Sequence, residues 1–153
     1  MNDVKMCQEA YPPFEKPKPV KALSIKQPWA WLICAGYKDI ENRTWFIGRK
    51  PALGGTFQDR GLQLPQRIYI HAGKTADKLT IPDFDAIYEK IGHGIRWHLD
   101  YGAIIGEVTI TGCVKESASP WFVGPYGFVL TDSVLYDKPI PYRGQLGFFE
   151  VKL

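Results

Sequence analysis

The period of hydrophobic and polar positions changes several times along the chain, and each change predicts a different secondary-structure element. Alternation predicts strands at residues 22–26 and 38–45, because successive side chains of a strand point to opposite faces. Between these strands, Trp29, Leu32 and Ile33 recur at helical spacing. A short helix is therefore predicted between the first two strands.

Proline, glycine and capping residues set the expected helix ends. Pro28 suits the first position of the first helix, where its missing N–H is not needed, and Gly36 suits the position just past the end. Thr80 and Asp83 are suited to cap a second, amphipathic helix. The apolar positions of this second helix are Phe84, Ile87, Tyr88 and Ile91.

The second half of the chain is dominated by strand patterns rich in β-branched and aromatic residues. One begins at Arg67 with RIYIHAG, and the clearest covers residues 103–114, AIIGEVTITGCV. At least two more are predicted at 126–136 and 146–153, separated by a turn region at 139–144. So many strands with only two helices indicate an α+β fold, built as a small mixed β-barrel.

The length of 153 residues fits one domain that can bury a core without metal or disulfide cross-links. Residues 1–20 contain four prolines among charges, a composition that resists helix and strand pairing, so we expect a proline-rich N-terminal extension there. The domain itself is expected at residues 21–153. Within it, residues 49–66 are rich in glycine, proline and polar side chains, which predicts a long loop or an inserted hairpin.

Composition narrows the functional classes. A formal net charge of +3 tolerates a polyanion but is far below that of a nonspecific nucleic-acid coat protein. Cys7, Cys34 and Cys113 form no C-x-x-C pair, which fits a reducing cytoplasm better than a disulfide framework or a zinc site. His93 and His98 are spaced so that they face different directions on a helix or a strand. We therefore expect no metal, no cofactor and, without a long apolar run, no membrane insertion.

Residues suited to nucleophilic catalysis lack their usual sequence context. Ser24 and Ser133 do not stand in a nucleophile-elbow motif. Cys34 falls in the apolar helix, where burial is expected to raise the pKa of its thiol and weaken it as a nucleophile. His71 is more typical of a structural histidine than of a base, although a contact with ligand stays open. Classical hydrolase triads are disfavoured by these patterns.

Residues 23–45, LSIKQPWAWLICAGYKDIENRTW, concentrate three tryptophans and many charges in one window. Lys26 and Gln27 lie between a strand end and a helix start, so the backbone turn fixes their direction and leaves their polar ends free. Trp29 shares the apolar stripe of the predicted helix, which favours a place in the core. The window is thus expected to combine core packing with polar groups available to a ligand.

Glu41, Arg43 and Trp45 are expected on one face of the second strand, two residues apart. One interpretation is a solvated ion pair, worth less than about 1 kcal/mol. In the other, that face lines a cleft. Arginine then donates in a planar fork, glutamate accepts, and an aromatic ring stacks on a base.

These motifs resemble the ASCH domain family, named for homology to an activating signal cointegrator. The matching segments are SIKQPWAWLICAGYKDIENRTW, RIYIHAGK, AIIGEVTITGCV and the closing YGFVL and PIPYRGQLGFFEV, so the resemblance covers nearly all of residues 21–153. It implies a PUA-like fold, a small mixed pseudo-barrel flanked by two or more helices. It also implies a cleft that binds RNA, nucleotides or modified nucleosides.

The resemblance assigns the window to one wall of that cleft. The implied ligand-binding residues are Lys26, Gln27, Trp29, Lys38, Glu41, Arg43, Trp45 and His71.

One branch of the family resembles an amidohydrolase that deacetylates acetylated cytidine with a lysine, a threonine three residues later and a distant glutamate. Lys38 matches that lysine, but Glu41 occupies the threonine position. The hydroxyl nucleophile is then missing, and Glu41 would tend to hold the Lys38 amine protonated and non-nucleophilic. Glu41 stays open as a general base in other chemistry.

Three functional hypotheses follow. The first is a cytoplasmic domain that binds RNA or a nucleobase-containing small molecule. The second is a hydrolase acting on a modified nucleoside or RNA, with Lys38 and Glu41 in the site. The third is a protein-interaction module of a transcription or translation regulator, similar to a transcription coactivator, with the proline-rich extension as an added contact. The sequence identifies no protein partner.

Overall fold

A computed structural model describes residues 18–47, 62–95 and 98–153 of the chain. Most of the predicted N-terminal extension and of the predicted loop at 49–66 lies outside the described residues.

The described residues form one six-stranded sheet and two helices, which confirms an α+β fold. The elements in chain order are β1 (Lys21–Gln27), α1 (Trp29–Cys34), β2 (Ile40–Arg43), β3 (Gln66–Ala76), α2 (Ile81–Ile91), β4 (Ala103–Val114), β5 (Tyr126–Pro141) and β6 (Phe148–Glu150). The strand order across the sheet is β2-β5-β4-β3-β1-β6.

One parallel pair, β1 with β3, lies within an otherwise antiparallel sheet. In its register Ala22 is paired with Tyr69 and Ser24 with His71. Since side chains alternate between faces, Ser24 and His71 project from the same face of the sheet as direct neighbours. This register brings together two polar residues that are far apart in sequence.

The sheet is not closed into the barrel that the sequence predicts, because β2 and β6 remain as separate edges. It is nevertheless strongly curled. The ring of Phe148 on β6 lies 5.5 Å from Trp45 beyond β2 and 6.0 Å from Phe128 on β5, measured between ring centroids. These bulky rings fill the space between the two edges, so side-chain packing takes the place of backbone hydrogen bonds there.

Helix α1 packs against β1, β3, β4 and β5 and is almost fully buried. It approaches the sheet closely at Gly106 of β4, where an added Cβ would lie 2.7 Å from the sulfur of Cys34. Burial raises the pKa of the Cys34 thiol, and the nearby carboxylate of Glu107 adds to the effect. The sequence-based expectation of an inert cysteine in this helix is confirmed.

Helix α2 begins with the predicted capping box. The Thr80 hydroxyl accepts the Asp83 backbone N–H, and the Asp83 carboxylate accepts from the Thr80 N–H at 2.7 Å, which lowers the pKa of Asp83. Gly92 ends the helix in a left-handed conformation. Among residues of α2, only Ile87 is buried, so this helix adds little to the core.

Two predicted boundaries are corrected. Strand β5 continues through Pro141, so the predicted turn at 139–144 begins only at Tyr142. Pro28 is the N-cap of α1 rather than its first residue. Neither helix in the described ranges is long and apolar enough to cross a bilayer.

Candidate ligand-binding site

A cavity of about 880 Å³ opens where β1, β2, β3 and α1 meet the segments 121–123 and 143–147. Its volume falls within the range of small-molecule and cofactor sites. Six of the eight sequence-predicted residues line it: Lys26, Trp29, Lys38, Glu41, Arg43 and His71. They come from β1, α1, β2, β3 and the loop between α1 and β2, so the site depends on the folded topology.

The other two predicted residues are structural. Gln27 is 1% exposed; its amide donates to the carbonyl of Asp100 and its side-chain oxygen accepts from the N–H of Trp31. It thereby ties the start of α1 to the chain before β4. Its side-chain amide makes hydrogen bonds only inside the protein, contrary to the expectation of a polar group free to bind a ligand.

Trp45 also lies away from the cavity. Its ring makes edge contacts with Phe128 at 5.1 Å and Phe148 at 5.5 Å. Strand β2 ends at Arg43, so strand alternation no longer sets the direction of a side chain two residues later. Trp45 therefore joins the packing between the sheet edges instead of the Glu41 and Arg43 face.

The Glu41 carboxylate forms ion pairs with two cations in the cavity wall. Its Oε2 lies 3.2 Å from Lys38 Nζ, and its Oε1 lies 3.2 Å from Arg43 Nε, an ion-pair distance without hydrogen-bond alignment. Lys38 Nζ also donates to the carbonyl of Ile40, and Arg43 Nη2 donates to the carbonyl of Ser24 at 3.1 Å. These contacts fix all three side chains and leave the trio with one unit of positive charge.

This network disfavours Lys38 as a nucleophile. The Lys38 nitrogen donates both to the Glu41 carboxylate and to the Ile40 carbonyl, so two protein groups hold it in the cavity wall. Glu41 in turn is paired with two cations, which occupy both of its carboxylate oxygens. The arrangement suits recognition better than covalent chemistry at Lys38.

Trp29 supplies an aromatic wall whose orientation is fixed. Its indole N–H donates to Asp77 Oδ2 at 2.9 Å, and Lys38 Nζ lies 5.9 Å from the ring centroid. The ring is partly buried, as the apolar helix stripe predicts, but it also lines the cavity. A flat ligand stacked on such a ring gains about 1–3 kcal/mol.

The cavity is strongly basic. Its cations are Lys26, Lys38, Arg43, Lys74, Lys90 and Arg143, and its carboxylates are Glu41 and Asp77. The resulting formal charge of +4 exceeds the +3 of the whole chain, so positive charge is concentrated here. Within the described ranges, the side chains of Lys26, Lys74 and Arg143 make no hydrogen bond or ion pair. These three exposed cations are available to an anionic ligand.

Ser24 and His71 form a hydrogen-bonded pair in the cavity. Ser24 Oγ lies 2.9 Å from His71 Nδ1, and His71 Nε2 lies 2.7 Å from the carbonyl oxygen of Tyr142. A carbonyl can only accept, so Nε2 carries the ring hydrogen. In the neutral ring Nδ1 is then bare and accepts the Ser24 hydroxyl hydrogen. This pair escaped sequence reasoning because its members are 47 residues apart.

The backbone at Gly144 lies directly over this pair. A Cβ there would lie 2.7 Å from His71 Cε1 and 3.2 Å from Ser24 Oγ, whereas a Cβ at Gly73 would come no closer than 3.5 Å to any atom. We expect Gly144→Ala to lower the free energy of unfolding by about 1–3 kcal/mol through overpacking, measured by urea denaturation. Gly73→Ala is the matched control and should change it little; equal effects of the two would contradict this packing.

Several cavity residues were not predicted, and their signals in the sequence are weak. Asn42 positions one wall, because its side-chain oxygen accepts from the N–H groups of Val123 and Gly124 while its amide donates to the carbonyl of Trp121. Lys74 directly follows the predicted strand and could have been included on that ground. Arg143 comes from a segment that only the fold brings to the cavity.

Comparisons with known proteins assign the chain to no family. No protein-family model matches the chain, and no curated protein matches it. In the described part of the chain, no three histidine, cysteine or acidic side chains are grouped as a metal site would require.

Proposed function

We propose that the protein is a PUA-like domain of the ASCH family that binds RNA or a nucleobase-containing small molecule in the basic cavity. The curled mixed sheet, with its edge strands joined by aromatic packing, supports a pseudo-barrel of the PUA-like kind. The ASCH-like motifs support it from the sequence. The cytoplasm remains the expected compartment.

The observation that carries this proposal is the convergence of the basic side chains and Trp29 on one cavity. Phosphate groups account for most of the affinity in nucleic-acid binding, and lysine and arginine supply their partners. An aromatic wall provides a stacking surface for a base. The fixed Glu41 carboxylate, beside these cations, can accept a hydrogen bond from a base edge.

Salt dependence tests the proposal. A short single-stranded RNA should bind with an affinity that falls as salt rises, because each neutralised phosphate releases counterions. We expect Arg143→Gln and Lys74→Gln each to reduce the slope of log K against log salt by about 0.7, measured by fluorescence anisotropy. Lys138→Gln, an exposed cation of β5 outside the cavity, is the matched control.

Two outcomes would contradict the proposal. One is the absence of measurable binding to RNA, DNA, nucleotides and nucleosides by the folded protein. The other is an equal loss of slope in the Lys138→Gln control, which would assign binding to general surface charge. Binding of nucleotides but not RNA would identify the small-molecule branch of the same proposal.

A further inference from the structure

A second chemical feature of the cavity adjoins the Lys38–Glu41–Arg43 network, because Arg43 Nη2 donates to the Ser24 carbonyl at 3.1 Å. Ser24 and His71 both line the cavity, and both lie on its sheet wall. We propose that Ser24 is a nucleophile activated by His71, and that the cavity catalyses acyl transfer from an ester that carries a negative charge. This goes beyond ligand binding and does not depend on the ligand being a nucleic acid.

The geometry meets the usual requirements for an activated hydroxyl. Nucleophile and base lie within hydrogen-bond reach at 2.9 Å, and the base is oriented by a third group, the Tyr142 carbonyl, at 2.7 Å. The carbonyl fixes the tautomer that leaves Nδ1 free to accept a proton. It also stabilises the imidazolium that forms when Nδ1 takes up that proton, as the aspartate does in serine hydrolases.

Burial favours Ser24 as the group that meets substrate. His71 is 1% exposed, whereas Ser24 is partly exposed towards the cavity. A substrate can therefore reach the base only through the serine hydroxyl. The Gly144 backbone covers the imidazole closely, since a Cβ there would lie 2.7 Å from His71 Cε1, and the Phe149 ring packs against the same imidazole at 5.9 Å between centroids.

The charges near Ser24 select the substrate. Arg43 Nη2 donates to the Ser24 carbonyl, and Lys26 lines the same cavity two residues further along β1. These cations place positive charge on the cavity wall that holds Ser24, and this charge attracts an anionic ester.

The reaction has two balanced steps. In the first, Ser24 Oγ forms a bond to the acyl carbon while its proton passes to His71 Nδ1. The carbon–oxygen bond to the alcohol then breaks, and that alcohol leaves with the proton from Nδ1. In the second step, water attacks the acyl carbon and gives its proton to Nδ1, the bond to Ser24 breaks, and the serine oxygen recovers the proton.

An alkyl fluorophosphonate tests the nucleophile in the unmodified protein. We expect a bond from Ser24 Oγ to phosphorus with loss of fluoride, found by mass spectrometry on the peptide containing Ser24. His71→Gln should slow labelling at least about 100-fold, the usual contribution of a general base. Ser133→Ala, on β5 and outside the cavity, should label at the wild-type rate. No adduct at Ser24 of the wild-type protein, or equal rates with and without His71, would overturn the proposal.

Turnover tests the substrate class. The wild-type protein should hydrolyse mono-4-nitrophenyl terephthalate, an anionic ester whose carboxylate cannot reach its own ester carbon, faster than the neutral 4-nitrophenyl benzoate, and Ser24→Ala should abolish turnover of both. Turnover that survives Ser24→Ala, or a preference for the neutral ester, would overturn it. Because neither assay contains nucleic acid, this proposal and the binding function can fail independently.

Discussion

Gly106→Ala is expected to destabilise the protein by about 3 kcal/mol or more. A Cβ at this position would lie 2.1 Å from the backbone oxygen of Val134 and 2.7 Å from the Cys34 sulfur. The first neighbour is backbone of β5, which is paired with β4, so it cannot move aside as a flexible side chain would. The overlap can be relieved only if a central strand or the buried helix α1 shifts.

The matched control is Gly112→Ala on the same strand, where a Cβ would meet only a methyl group of Val129 at 3.9 Å. Urea denaturation of both variants should show a large fall in the free energy of unfolding for Gly106→Ala and a small change for Gly112→Ala. A tolerated Gly106→Ala, or two equal losses, would show that β5 and α1 do not approach Gly106 as closely as described.

Glu41→Gln should have the second large effect, with a loss of about 3 kcal/mol in the free energy of unfolding. The side chain of Lys38 is 5% exposed and that of Glu41 is 10% exposed. Removing the shared negative charge leaves Lys38 buried beside Arg43 without a compensating carboxylate. The penalty comes from an unpaired buried charge and exceeds the modest net contribution of the ion pair itself.

A double variant distinguishes this cause from a general packing defect. Lys38→Met together with Glu41→Leu removes both charges and keeps similar volumes, so it should be clearly more stable than Glu41→Gln alone. Urea denaturation of the two variants makes the comparison. Equal or greater destabilisation in the double variant would contradict the role of the unpaired charge.

The elements were predictable where local patterns are strong. The strand at 103–114 was predicted with its observed bounds, because a long run rich in β-branched residues leaves few alternatives. The Thr80 and Asp83 cap was predicted because both partners are within one helical turn. Six cavity residues were predicted through the motifs that resemble the ASCH family, a resemblance that spacing alone would not supply.

The remaining features depend on contacts between distant segments. Ser24 contacts His71 only because β1 pairs with β3. The parallel register of these two strands cannot be predicted from the residues of either strand alone. The packing of Trp45 against Phe148 joins two sheet edges, which a strand-by-strand reading cannot anticipate. The Gln27 amide is not free because the fold brings the carbonyl of Asp100 next to it, and the local sequence does not show that contact.

The pairing of β1 with β6 determines when the sheet and the cavity can be completed during synthesis. β6 pairs with β1, and the N–H of Val151 donates to the carbonyl of Val20 at 2.8 Å. A ribosome must therefore translate almost to residue 151 before the outer edge of β1 is covered. A nascent chain that stops before Tyr142 lacks the carbonyl that orients His71 and the adjoining wall with Arg143. Truncated translation products would thus present an open strand edge prone to aggregation and no finished pocket.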